Sequence, residues 1–225
     1  MAVSTLFRIF ATGTKNLTGM NREEKFVITI SRQFGTGGHE IGAELARRLG
    51  VKLLDKQILN EVARRFCVVE DAMEKIESRN PLWRDDFTQF YRSYMSGMEY
   101  DGQEQDQTSH RLFDAQADAI RQIASKESCV IVGRCGFHIF RNHPNALKIF
   151  VHADDQCRQR RIAQKFGLDI SDAAAMIVDN DYSRELYTKT FTGTDWTDAR
   201  NYDLTVNVRS FGVNGAVDFI LKSIE

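Results

Sequence analysis

Residues 26–55, FVITISRQFGTGGHEIGAELARRLGVKLLD, decide the fold. The first six are short, apolar and β-rich, which is typical of a buried parallel strand. A glycine-rich turn follows, and leucine and isoleucine at four-residue spacing then predict a helix over 39–49. Residues 51–54 are apolar again and predict a second strand that ends at Asp55. A strand–turn–helix–strand unit within about 30 residues predicts an α/β fold with a parallel sheet.

The second half of the chain repeats this alternation. Three further apolar runs predict strands over 129–132, 146–152 and 203–208. The segments between and after them predict helices over 112–125, 155–167, 171–187 and 213–224. The expected architecture is therefore one doubly wound core of about five parallel strands.

The stretch from 56 to 121 differs from this core because it contains no strand signal. It predicts a helical lobe inserted over the carboxyl ends of the strands, where folds of this class bind ligands. Residues 100–110 are polar and predict a mobile loop. We expect the segment 97–110 to close over the bound ligand. The expected organisation is an N-terminal extension over 1–24 and a single domain over 25–225. Its core comprises 25–55 and 122–225.

Composition excludes several classes of protein. The 225 residues carry 30 Lys and Arg against 31 Asp and Glu, and this near-neutral balance argues against a nucleic-acid-coating surface. The four cysteines form no CxxC pair, which favours free thiols in a reducing, cytoplasmic setting. No apolar run reaches the roughly 18 residues of a membrane span. We expect no nucleic-acid or membrane partner, and a monomer or a homodimer.

The turn after the first strand has the chemistry of a phosphate-binding loop. Glycines let successive N–H groups face an anion, and the following helix adds its positive end. Against the pattern G-x-x-x-x-G-K-[ST], Arg32 replaces the first glycine, Gly38 the lysine and His39 the hydroxyl residue. The candidate phosphate contacts are Gly35, Thr36, Gly37, Gly38, His39 and Glu40. The alternative is a plain turn between strand and helix.

Charged side chains follow the later strands. Arg134 comes directly after the strand over 129–132, so it points into the ligand crevice and suits bidentate phosphate contact. Arg158 and Arg161 are three residues apart and share one helix face, as do Asp181 and Arg184. The alternatives are surface salt bridges, a solvated basic face and an ordinary ion pair within a helix.

With these residues in place, the chain resembles the nucleoside monophosphate kinases, and within them the cytidylate kinase-like family. The resemblance covers about residues 26–224 and is specific through the order and spacing of its parts. The matching stretches are VITISRQFGTGGHEIGAELARRLG, KLLDKQIL, CVIVGRCGF, PNALKIFVHADDQCRQRR, DYSREL and YDLTVNV.

The resemblance implies a P-loop kinase-type core, a monophosphate-binding lobe over about 56–121 and a small lid over about 158–196. It implies ATP and Mg²⁺ as cofactors, nucleotides as substrates and transfer of the γ-phosphoryl group to a nucleoside monophosphate. It assigns Arg134, Asp181 and Arg184 to the acceptor site, together with Asp55. It assigns Arg158 and Arg161 to closure over the donor.

The departures from the family pattern favour two alternatives. The loop lysine is absent at Gly38, Cys135 replaces the aspartate of G-R-D, and Ile177 replaces an arginine. After the second strand, Asp55 is kept while the acceptor-binding Ser and Arg are lost. The alternatives are a kinase with another acceptor and a non-catalytic nucleotide-binding protein. If catalysis survives, Arg32 or a lid arginine supplies the missing charge, so Arg32, Arg134, Arg158 and Arg161 are the candidate catalytic residues.

Overall fold

A five-stranded parallel sheet forms the centre of the protein. The computed structural model describes residues 18–55 and 102–225. The strands in chain order are β1 (Val27–Arg32), β2 (Lys52–Leu54), β3 (Cys129–Val132), β4 (Ala146–His152) and β5 (Leu204–Asn207). Their spatial order is β2-β3-β1-β4-β5, with every pair parallel. This confirms the predicted α/β fold, and β1 is central, with β3 and β4 as its neighbours.

Helices cover both faces of the sheet. In chain order they are α1 (Gly38–Leu49), α2 (Gly102–Lys126), the short α3 (Gly136–Ile139), α4 (Asp155–Phe166), α5 (Ile170–Thr192) and α6 (Val208–Ser223). Their bounds follow local signals. Gly50, Gly167 and Gly193 adopt the left-handed conformation that ends α1, α4 and α5, and the side chains of Asp154 and Asp169 accept backbone N–H groups at the starts of α4 and α5.

Alternate residues of β1 enter different cores because successive strand side chains point to opposite faces. Ile28 and Ile30 are fully buried in the larger core with α1 and α6. Val27 packs into a smaller core with Ile120 of α2. Burial of such aliphatic side chains stabilises the fold by about 1.5–3 kcal/mol each.

The polar segment before β3 corrects one prediction. Residues 102–110 belong to α2 rather than to a mobile loop. The segment is rich in glutamine and contains glutamate, both good helix formers, so its polarity alone did not exclude a helix. The predicted helix over 112–125 is confirmed as the second half of α2. The predictions for 1–17 and 56–101, including most of the inserted lobe, lie outside the described residues.

Within the described ranges, none of the helices is both long enough and apolar enough to cross a membrane.

Candidate active site

The glycine loop, residues 33–38, connects the end of β1 to the start of α1. Gly35 and Gly37 have φ angles of 83° and 78°, a left-handed conformation that favours glycine. Gly37 is the residue directly before α1, so its neighbours present backbone N–H groups at the positive end of that helix. The predicted turn is therefore shaped as an anion-binding loop.

The loop is held in place by its own polar atoms. Gln33 donates its N–H to the carbonyl of Val151 at 3.0 Å, and its side-chain oxygen accepts from the N–H of Ala153 at 3.2 Å. The Thr36 hydroxyl donates to the carbonyl of Gln33 at 2.8 Å. The start of the loop is thus fixed to β4, its neighbour in the sheet.

Asp181 on α5 joins the loop to two helices. One carboxylate oxygen accepts from the Phe34 N–H at 2.7 Å and from Arg184 at 3.2 Å. The other forms an ion pair with Arg158 on α4, and the Arg158 side chain is only 6% exposed. A second nitrogen of Arg158 reaches Asp155 at 2.5 Å. This cluster links α4, α5 and the loop through a charge that is largely removed from water.

A second ion pair ties α4 to α1. Arg161 contacts Glu40 in the first turn of α1 at 3.0 Å. Burial alone would raise the pKa of Glu40, yet its own backbone N–H and Arg161 hold that pKa below the usual range. The carboxylate therefore stays ionised at neutral pH. A Cβ added at Gly37 would lie 2.8 Å from an Arg161 nitrogen, so this contact depends on the glycine.

A cleft opens beside the loop at the carboxyl ends of β1 and β3. Three arginines, Arg32, Arg134 and Arg184, line this cleft. Its remaining lining residues are Ser31, Val132, Gly133, Cys135, Phe137, Tyr187, Thr188 and Trp196. Three cations above a parallel sheet make the cleft suited to an anionic ligand.

The turn after β3 aims Arg134 into this cleft. Gly133, Arg134 and Cys135 have φ angles of 82°, 53° and 52°. A left-handed conformation in two residues that are not glycine costs of order 1–3 kcal/mol each, and such strain clusters at functional sites. The Gly133 N–H donates to the carbonyl of Ile30 at 2.9 Å and fastens the turn to β1.

Two neutral groups surround Arg134. Its guanidinium carbon lies 5.9 Å from the ring centre of Tyr187. Burial raises the pKa of Tyr187 to about 12, although Arg134 acts in the opposite direction. Burial likewise raises the pKa of the Cys135 thiol to about 12, and its sulfur lies 3.9 Å from the Thr188 hydroxyl. The side chains at positions 135 and 187 are therefore uncharged at neutral pH.

Comparison with known proteins identifies the family. Residues 27–210 match the cytidylate kinase-like family. This chain belongs to the cytidylate kinase-like family. A cytidylate kinase of Archaeoglobus fulgidus is 26% identical over 200 residues, which cover 88% of this chain and 94% of that protein.

Two solved structures share the fold of this chain. An uncharacterised protein of Eubacterium ventriosum is 28% identical, with a TM-score of 0.66 over 89% of this chain and 98% of that chain. A Thermus thermophilus protein has a TM-score of 0.53 at 16% identity, over 89% of this chain and 96% of that one, and shows the shared fold.

The predicted site residues of this cytidylate kinase-like protein lie in several parts of the structure. Arg32, Arg134 and Arg184 line the cleft. Arg158 and Asp181 lie in the ion cluster behind the loop, and Arg161 pairs with Glu40. Asp55 directly follows β2. His39 is exposed in the first turn of α1.

Eight of the lining residues were not predicted as site residues, among them Tyr187, Thr188 and Trp196. Tyr187 is three residues after Arg184 on α5, and this spacing within a helix was a usable signal. Thr188 is adjacent to it in sequence. Trp196 lies at the end of the predicted lid segment, yet it is 5% exposed and packs edge-on against Phe150. No local pattern marks a tryptophan that a loop brings back to the sheet.

The described carboxylates do not form a magnesium site by themselves. Among residues 18–55 and 102–225 there is no group of three His, Cys, Asp or Glu placed to hold a metal. The nearby carboxylates of Glu40 and Asp181 are already paired with arginines. In kinases Mg²⁺ is bound largely by substrate phosphates and water, with only one or two carboxylates, so it needs no group of three protein ligands.

Proposed function

We propose that this protein transfers the γ-phosphoryl group of ATP to a nucleoside monophosphate. The observation that carries the proposal is the arginine-lined cleft that adjoins the glycine loop at the carboxyl ends of β1 and β3. Membership of the cytidylate kinase-like family supports a phosphotransferase. The cytidylate kinase of Archaeoglobus fulgidus makes cytidine monophosphate the first acceptor to try.

The donor phosphates would lie on the glycine loop. Its backbone N–H groups and the positive end of α1 attract the phosphate oxygens. Gly35 and Gly37 allow the left-handed turns that point these groups outward. Phosphoryl transfer depends mainly on positioning and charge neutralisation, so a rigid loop with fixed N–H groups contributes directly.

The acceptor phosphate would lie in the cleft between Arg134 and Arg184. Planar guanidinium groups bind phosphate oxygens in a bidentate manner. One acceptor oxygen forms a bond to the γ-phosphorus while the bond from that phosphorus to the β–γ bridging oxygen breaks. The products are a nucleoside diphosphate and ADP, with no net proton needed. Aromatic residues Phe137 and Trp196 make the adjoining wall apolar.

Helices α4 and α5 would act as the lid, and about 56–121 as the acceptor lobe. Arg158 joins α4 to Asp181, whose carboxylate also accepts the Phe34 N–H of the loop. Arg161 joins α4 to Glu40 of α1. Closure over bound nucleotide excludes water and so limits hydrolysis of ATP. We keep Arg158 and Arg161 as proposed donor-side residues that act through these ion pairs.

A second candidate is a kinase of the same fold with a different acceptor. It is favoured by Cys135, which stands where the resemblance expects the aspartate of G-R-D. Burial raises the pKa of this thiol to about 12, so position 135 offers no negative charge to a nucleobase or sugar. An acceptor that needs no carboxylate there fits this chain better.

A product screen tests both candidates. Purified protein is incubated with ATP, Mg²⁺ and each nucleoside monophosphate, and diphosphates are detected by mass spectrometry. We expect one diphosphate, with its rate reduced at least about 100-fold in Arg134→Ala, because one preorganised charge typically contributes that factor. Arg47→Ala is the matched control, since Arg47 is an exposed arginine at the far end of α1.

ATP binding with no diphosphate from any nucleotide would contradict the first candidate. The same screen is then extended to hydroxyl acceptors that are not nucleotides, where a phosphorylated product supports the second candidate and no product indicates a binding protein.

A further inference from the structure

We propose that Arg32 replaces the missing phosphate-loop lysine and binds the phosphoryl group during transfer. The proposal rests on the proposed function and names a further catalytic residue within it. It also explains two departures from the phosphate-loop pattern, an arginine at position 32 and a glycine at position 38, as one structural feature.

The first observation is steric. A Cβ added at Gly38 would lie 2.6 Å from Cγ and 2.7 Å from Cβ of Arg32. Real Cβ atoms do not approach other carbons this closely, so the stem of Arg32 occupies the space where a side chain at position 38 would begin. A lysine at 38 and an arginine at 32 are therefore mutually exclusive in this backbone.

The second observation concerns the charged end. A Cβ added at Gly133 would collide with the Nη1 atom of Arg32. The guanidinium therefore lies against the backbone of Gly133, immediately before Arg134 in the strained turn. Arg32 also lines the cleft. Its side chain thus runs from the start of α1 to the cleft wall, across the boundary between the donor loop and the acceptor site.

The described residues that line the cleft include neither of the lid arginines Arg158 and Arg161. Arg158 is buried and contacts two carboxylates, those of Asp181 and Asp155. Arg161 is paired with Glu40. Arg32 approaches the loop and the cleft together, and its planar fork can contact two oxygens of one phosphate. The position of its side chain therefore favours Arg32 over the lid arginines as the substitute for the lysine.

The experiment measures turnover and ATP affinity in four variants. Arg32→Ala should lower kcat/KM at least about 100-fold, and should weaken ATP binding measured by calorimetry at least about tenfold. Gly38→Lys alone should also be impaired, because the new side chain meets Arg32. The double variant Arg32→Gly/Gly38→Lys should recover at least about tenfold over Arg32→Ala, because glycine at 32 leaves no Cβ for the new lysine to meet. Arg47→Ala should match the wild type.

A steric pair checks the geometry without turnover. Gly38→Ala should lower the melting temperature of the wild type and should leave that of Arg32→Gly unchanged, because glycine at 32 removes both the Cβ and the Cγ that the new methyl group would meet. Equal lowering in both backgrounds would contradict the placement of Arg32 over Gly38.

The outcomes separate this inference from the proposed function. If the wild type makes a diphosphate and Arg32→Ala does so equally fast, the role of Arg32 is overturned and the kinase stands. If the wild type transfers no phosphoryl group, the proposed function fails. The ATP titration then decides on Arg32: an unchanged Kd in Arg32→Ala overturns the contact with phosphate, and a tenfold weaker one supports it.

Discussion

Two turns, at the carboxyl ends of the neighbouring strands β1 and β3, both adopt left-handed backbone conformations but place different residue types there. The glycine loop places glycine at both of its left-handed positions, Gly35 and Gly37. The turn after β3 has a left-handed glycine at 133, but continues with Arg134 and Cys135 at positive φ. The first turn presents backbone N–H groups at little conformational cost. The second accepts strain and presents a side chain.

The two turns also differ in their supports. The glycine loop is tied to α5 by the charged Asp181 cluster. The turn after β3 is surrounded by the neutral groups Tyr187 and Cys135, whose pKa values burial raises to about 12. The glycine loop is thus supported by charged side chains, whereas the side chains of Tyr187 and Cys135 beside Arg134 are uncharged at neutral pH. Three experiments on stability test this contrast.

The largest expected effect is loss of the charged support. Asp181→Ala should lower the free energy of unfolding by about 3–5 kcal/mol, because Arg158 would remain buried without its main partner. Urea denaturation measures the change. Asp155→Ala is the matched control, since Asp155 pairs with the same arginine but is 74% exposed, and it should cost about 0–1 kcal/mol. Equal effects would show that burial of the pair is unimportant.

The neutral support predicts a loss of stability at high pH. Folding holds Tyr187 and Cys135 in their protonated forms, with pKa values of about 12, while the unfolded groups titrate near 10 and 9. At pH values between the unfolded and the folded pKa, the unfolded state binds fewer protons than the folded state, so the free energy of unfolding falls as pH rises. The free energy of unfolding from pH 8 to 11 checks this. Tyr187→Phe should have a shallower slope above pH 10, by roughly 1 kcal/mol per pH unit; an unchanged slope would contradict the burial of this hydroxyl.

The smallest effect tests the strain at Arg134. Arg134→Gly should raise the free energy of unfolding relative to Arg134→Ala by about 1 kcal/mol, because glycine tolerates the positive φ and alanine does not. Both variants remove the guanidinium, so both should lose phosphoryl transfer. Thermal denaturation of the two proteins side by side gives the difference. If alanine proved equally stable, the turn would not be strained.

The order of local elements could be predicted from the sequence because each depends on neighbouring residues. The apolar run before the glycines and the four-residue spacing after them predict β1, the loop and α1, and α/β topology brings Arg134 to the same sheet edge as Arg32. Residues 102–110 were read wrongly, because polarity was taken as a loop signal although the residue types favour a helix.

The partners of each charge could not be predicted in this way. Helical spacing puts Asp181 near Arg184, but the contacts with Arg158 and with the Phe34 N–H join residues 23 and 147 positions apart. Likewise, comparison with the motif shows that position 38 lacks a lysine. Only the packed structure shows that the Arg32 side chain occupies the space beside Gly38.

The sequence by itself determined the alternation of strands and helices, the phosphate-type loop and the arginines at the strand ends, because periodicity and backbone preference act over a few residues. Only the tertiary structure brings Arg32, Arg134 and Arg184 to one cleft and pairs Arg158 of α4 with Asp181 of α5. It also decided that Tyr187 and Cys135 stay neutral beside Arg134. These properties depend on distance, burial and desolvation, which arise only when distant segments pack together.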